Sequence, residues 1–200
     1  MMDNWEVLKL TSDDPCRTTL EQKDTKVVSF SSKTDDKKSG SRPLTTFANA
    51  DGEEIAQLEW HMYFSDKLRL RGGEWTNVSK WIKSKKDMKG AVEFTCTTGN
   101  QYYWTSGNQG STLWLYVSTD SSNPIAAYQP RGKKNLITDP PPPAPFIQLS
   151  HHTKVDRDEI LLSLLLIEKA RRFGSKPFSS TIGDGLFYGG IGPSLTRTMG

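Results

Sequence analysis

The stretch "DEILLSLLLIEKARR" (Asp158–Arg172) decides how the rest of the chain must fold. From Ile160 to Ile167 it is apolar at every position but Ser163, and its leucines favour a helix. Such a helix has no polar face to turn towards water. Asp156 precedes it as an N-cap, and Glu159 completes the Asp form of a capping box. Lys169, Arg171 and Arg172 suit the negative end of the helix dipole, and Gly174 suits a C-terminal cap. These signals predict a helix over about 157–172 that must be hidden on every side. Burying the run from Ile160 to Ile167 at roughly 1.5–3 kcal/mol per large side chain contributes on the order of 10 kcal/mol before entropy. That is comparable with the net stability of a whole domain, so the helix is expected to be the core itself.

What precedes it reads as short strands. "WEVLKL" (5–10) and "KLRLRGG" (67–73) alternate apolar and polar residues. "KVVSFSS" (26–32), "TLWLYVS" (112–118), "PIAAYQP" (124–130) and "PFIQLSHH" (145–152) continue the series. Asp51-Gly52 and Gly99-Asn100 mark two hairpins. "WTNVSKWIKSKKDMKG" (75–90) breaks the pattern, with Val78, Trp81 and Ile82 at the spacing of a short surface helix. Pro140 to Pro143 impose a stiff extended crossover, or offer a ligand to a proline-binding domain. A flat sheet covers one side of a helix, whereas a closed barrel covers all of them. The expected fold is therefore mainly β: a closed antiparallel β-barrel of short strands around a hydrophobic C-terminal central helix. It would occupy residues 1–172, with 173–200 a Gly/Ser-rich flexible tail.

Barrel strands followed by such a helix resemble the tubby-like fold of tubby domains, LURP-one-related proteins and phospholipid scramblases. More closely, the chain is similar to a family of uncharacterised fungal domains grouped with that fold. The stretches that carry the likeness are "GEEIAQLEW" (52–60), "LRLRGGEW" (68–75), "GNQYYWT" (99–105), "IAAYQP" (125–130) and the terminal helix. The resemblance covers roughly Trp5 to Arg172 and implies binding of phosphoinositides by basic side chains. No tubby head-group motif matches residue by residue, so no site residue is carried over from it.

The candidate contacts come from the residues themselves. Lys80, Lys83, Lys85, Lys86 and Lys89 fall within ten positions against one acid, Asp87, with Arg69 and Arg71 shortly before and Arg131, Lys133 and Lys134 later. They suit an anionic partner such as phosphoinositide, an acidic leaflet or nucleic-acid phosphate, each basic residue adding about 1 kcal/mol near an anionic membrane. The same residues also read as a solvated face. The net charge of +3 does not diagnose a nucleic-acid binder, and none is expected.

Other chemistry is thinly represented. His151 and His152 in a strand would point to opposite faces and could not share one ion. Ser163, mid-helix, is expected to bond back to a helix carbonyl rather than to act as a nucleophile. Tyr102 and Trp104 share one strand face and Trp114 and Tyr116 another, as core packing or as a stacking platform. Cys16 and Cys96 show no basic neighbour that would activate them. No enzyme, metal or cofactor is expected. The residues Met-Met-Asp-Asn-Trp lack a basic and an apolar run, so no secretory signal is expected, and the apolar run from Ile160 is too short to span a bilayer as a helix. The expectation is a cytoplasmic domain, peripheral at membranes. The alternative is a protein-interaction module using its surface, the Pro-rich loop or the tail, in which Phe178, Leu186, Phe187, Tyr188 and Ile191 are handles.

Overall fold

Alternating side chains shape most of the chain into strands in the computed structural model, which describes residues 5–35, 42–61, 65–106, 112–132 and 142–173. In chain order the strands are β1 (Glu6–Leu10), β2 (Thr18–Gln22), β3 (Val28–Asp35), β4 (Leu44–Asn49), β5 (Glu54–Glu59), β6 (Lys67–Leu70) and β7 (Trp75–Asn77). The one-turn helix α1 (Val78–Trp81) follows, then β8 (Ile82–Ser84), β9 (Val92–Thr95), β10 (Gln101–Ser106), β11 (Leu113–Val117), β12 (Ala126–Gln129) and β13 (Phe146–Leu149). A short 3₁₀ turn (His151–Thr153) leads into helix α2 (Arg157–Phe173). The described part of the chain is thus mainly β, and α2 begins at the residue the sequence predicts. Phe173, expected to open the tail, is the last residue of α2; the rest of the expected tail and Pro140–Pro141 lie outside the described residues.

Among the described residues, thirteen strands form one sheet in the order β7-β6-β5-β4-β3-β2-β1-β13-β12-β11-β10-β9-β8. Neighbours in the sheet are consecutive in the chain except β1 and β13, whose pairing brings Glu6 opposite Leu149. The expected closed barrel is not what the ladders show, because β7 and β8 are the two edges. The reason lies in counting directions. Every neighbouring pair is antiparallel, so β7 and β8, twelve steps apart in the order, run the same way. A parallel pair needs a crossover of about a dozen residues, whereas α1 provides four. The edges therefore stay unzipped, kept to three residues each and with Lys83 on one of them, which discourages pairing with another chain.

The inner sheet face and α2 make the core. Leu8, Leu20, Phe30, Phe47, Leu58, Leu68, Trp104, Leu115, Tyr128 and Ile147 are fully buried, as is every residue from Ile160 to Ile167 to within a few per cent. Ser163 makes the expected back-bond, donating to the Ile160 carbonyl at 2.7 Å, and accepts from the Trp104 indole at 2.9 Å. The predicted capping box is replaced by longer-range bonds. The Asp156 carboxylate accepts from Thr98, Asn100 and Tyr102, and Glu159 accepts from the Thr97 hydroxyl and N–H. Both acids thus hold the β9–β10 turn rather than the first helical turn.

Two other expectations change. The helix expected within 75–90 shrinks to α1, because Trp75–Asn77 and Ile82–Ser84 are drawn into the sheet as its edges. His151 and His152 lie in the 3₁₀ turn rather than in a strand, with ring centroids 3.8 Å apart. Strand β2 was not expected at all: "TTLEQ" offers a single apolar side chain, Leu20, which points into the core.

Candidate functional site

The basic residues between Lys80 and Lys89 follow from the edge of the sheet. Trp81 fastens α1 to β9: its indole N–H donates to the Thr95 carbonyl at 3.0 Å and its ring rests 5.5 Å from Phe94. This leaves Lys80 on the exposed side of the helical turn and Lys83 on the exposed face of β8. Both line a cleft of about 270 Å³, as do Trp81 and Phe94. Thr95, Gln101 and Ser118 bring hydroxyl and amide groups to it, and Glu93 brings one carboxylate. Glu93 stands opposite Lys83 in the β8–β9 register. Two ammonium groups against one carboxylate leave the cleft positive, and neutral donors complete a setting suited to an anionic oxygen group.

The remaining candidates do not join that cleft. Lys85 turns away: its ammonium lies 3.2 Å from Asp87 and 5.1 Å from the centre of the Tyr103 ring. Lys86 and Lys89 are exposed in the turn between β8 and β9. Arg69 donates to Gln57 at 2.6 Å and stacks over Trp75 at 5.2 Å. Arg71, in a left-handed turn conformation at φ 44°, sits 3.9 Å from Asp158. Arg131 pairs with Asp13 at 3.0 Å, and Lys133 and Lys134 lie outside the described residues. The structure therefore brings Lys80 and Lys83 to one cleft that Arg69 and Arg71 do not line. Glu93, Gln101 and Ser118 escaped the sequence reading, since only strand register places them beside the lysines.

The aromatic pairs divide between the two faces of the sheet. Tyr102 and Trp104 point inward to Asp156 and Ser163, while Tyr103 and Tyr116 stack across β10 and β11 at 5.3 Å. Burial pushes the Tyr102 phenol well up, and the Asp156 carboxylate it bonds pushes it further. The thiols are core residues. Burial raises Cys16 to about 12 and raises Cys96 as well, with Glu159 adding to the latter. Among the described residues, no group of three or more His, Cys, Asp or Glu side chains could hold a metal ion. No helix of the described residues is long and apolar enough to cross a membrane.

A positively charged cleft on the edge of an antiparallel sheet with a buried terminal helix is the frame into which the family comparison fits. Residues 13–173 match the model of a family described as "Family of unknown function (DUF6593)", and the chain belongs to it. No curated protein and no solved structure matches the chain.

Proposed function

We propose that this chain is a non-enzymatic, tubby-like domain that binds an anionic membrane surface peripherally, phosphoinositide head groups included, through the lysines of the α1–β9 edge. The observation that carries the reading is the state of Lys80, Lys83, Lys86 and Lys89. All four are exposed, and among the described residues none is held in an ion pair. Lys80 and Lys83 frame the cleft for a head group, and Lys86 and Lys89 extend the positive charge along the chain. Lys85, Arg69 and Arg71 already have partners and contribute less. At about 1 kcal/mol each, four free lysines give a binding that is weak, reversible and salt-dependent.

The tubby-like part of the proposal is that the open sheet curls around α2. Its support is the spread of strands that reach the helix. Arg157 bonds Glu6 of β1 and the Ser29 carbonyl of β3, Ser163 meets Trp104 of β10, and Phe173 meets Trp60 beyond β5. These strands are far apart in the sheet order, and a flat sheet could not bring them to one helix.

Co-sedimentation with vesicles of neutral lipid, phosphatidylserine or phosphoinositide tests the function. Lys80→Glu combined with Lys83→Gln should weaken binding to anionic vesicles about tenfold or more at physiological salt. Glutamine at 83 avoids setting a second carboxylate opposite Glu93. Unchanged binding would remove the lysines from the site and turn the search to a protein partner.

A further inference from the structure

Five large apolar side chains are exposed among the described residues, and three of them lie in or beside two turns held at one end of the sheet. Val27, 56% exposed, ends the β2–β3 turn, and Val28, 39% exposed, opens β3. Val155, at 77%, lies in the turn just before α2. Arg157 ties the two turns together. From the first residue of α2 it reaches Glu6 at 2.8 Å and the carbonyl of Ser29, the residue after Val28, at 3.4 Å.

The exposure is built in rather than left over. Lys26 is one of two described non-glycine residues with a left-handed backbone, at φ 57°, a conformation that costs free energy for a side chain with a Cβ. It is held there by the Lys26 N–H on the Gln22 carbonyl and the Gln22 N–H on the Val27 carbonyl, both at 2.9 Å. The second turn is fixed likewise, with the Asp156 N–H on the Thr153 carbonyl at 3.2 Å. Two rigid turns therefore hold valines out into solvent, and Lys23, Lys26 and Lys154 stand exposed around them against one exposed acid, Asp24.

We infer that this end of the sheet is the face that enters the membrane, its three valines in the acyl boundary and its three lysines on lipid phosphates. Apolar tips ringed by cations match an anionic bilayer in both chemistry and charge. The inference rests on the membrane reading above but names a different part of the surface. Lys80 and Lys83 would select the head group while the valine turns hold the depth. Each lysine at an anionic surface is worth about fivefold in affinity.

The test uses the full chain with Val155→Cys carrying an environment-sensitive fluorophore. Cys16 and Cys96 are both buried, so the label goes to the new thiol. With phosphatidylserine vesicles the emission should shift to the blue and be quenched by lipids brominated in their acyl chains. The combined Val27→Asn, Val28→Thr and Val155→Asn variant should lose roughly tenfold or more in binding, with little change in thermal midpoint because Val27 and Val155 lie mostly exposed outside the strands and threonine keeps a β-branched residue at the start of β3. Vesicle binding with no change at the probe would overturn the inference and leave the membrane reading standing. No binding to anionic vesicles at low salt would overturn both. A blue shift that appears with rising protein concentration and without lipid would overturn it in favour of contact with a second copy of the chain.

Discussion

The two ends of α2 bury charge by opposite means. At the N-terminal end, Asp156 and Glu159 accept hydrogen bonds from neutral donors, Thr97, Thr98 and Asn100 of the β9–β10 turn and Tyr102 of β10. At the C-terminal end charge meets charge. Lys169, 4% exposed, bonds Asp66 at 2.6 Å and lies 4.1 Å from the centre of the Trp60 ring. Glu168 is bridged by Arg171 at 2.7 Å and by Arg172 at 3.3 Å. The helix dipole explains the division. Asp156 and Glu159 at its positive end are favoured and need only donors, whereas Glu168 sits at the end where a carboxylate is disfavoured and is neutralised by Arg171 and Arg172. The N-terminal end should therefore lose stability in small steps and the C-terminal end in one large one.

Leu164→Asp, between the ends, sets the upper limit. Leu164 is fully buried, and an unpaired carboxylate there should cost about 5 kcal/mol or more and leave no cooperative unfolding transition by circular dichroism. At the C-terminal end, Asp66→Ala strands the Lys169 ammonium and should cost about 3–5 kcal/mol. Replacing both partners, Asp66→Leu with Lys169→Met, should recover most of that in a urea titration. A double variant as unstable as the single one would show that the ion pair is not what matters there.

At the N-terminal end, Tyr102→Phe removes one of three bonds to Asp156 and should cost about 2 kcal/mol. Its pH dependence is the sharper test. Burial alone would raise the Asp156 carboxyl, but the bonds from Thr98, Asn100 and Tyr102 outweigh it and hold the group below its ordinary value. A lowered folded pKa contributes stability above the unfolded value, about 3.9, that is lost as pH falls through the folded one. Urea midpoints of the wild type and Tyr102→Phe should accordingly converge below about pH 4, and a constant gap would rule out the carboxylate as the partner that counts. The smallest effect belongs to Arg71→Gln. The Arg71–Asp158 pair is 3.9 Å long and its arginine is half exposed, so its loss should change stability by less than about 1 kcal/mol.

The same contrast shows what the sequence made legible. The eight-residue apolar run announced α2 because a helix without a polar face has only one place to go, and the alternating runs announced most of the strands for a similar reason. Partners from distant segments were not legible. Asp156 and Glu159 spell a capping box, yet their bonds go to a turn and strand more than fifty positions earlier, which no local pattern records. The lysines were visible as a run, but their grouping was not. Register puts Lys83 beside Glu93 and the cleft, and a single nearby acid takes Lys85. Nor did the strand count reveal itself, since β2 has one apolar residue and the edges β7 and β8 hide in a stretch with helical spacing.

The pairing of β1 with β13 has a bearing on how the molecule comes into being. Of the described strands, β1 is made first and must wait for β13, the last, and the helix whose buried side chains join the same core is made after both. At synthesis rates of about 5–20 residues per second, that wait is on the order of ten seconds or more on the ribosome. Throughout it, the sheet's inner face has nothing to cover it. A chain released before α2 is complete would present Leu8, Phe30, Phe47 and Trp104 to whatever binds nascent apolar surfaces, and its fate would be set by chaperones and proteases rather than by its own fold.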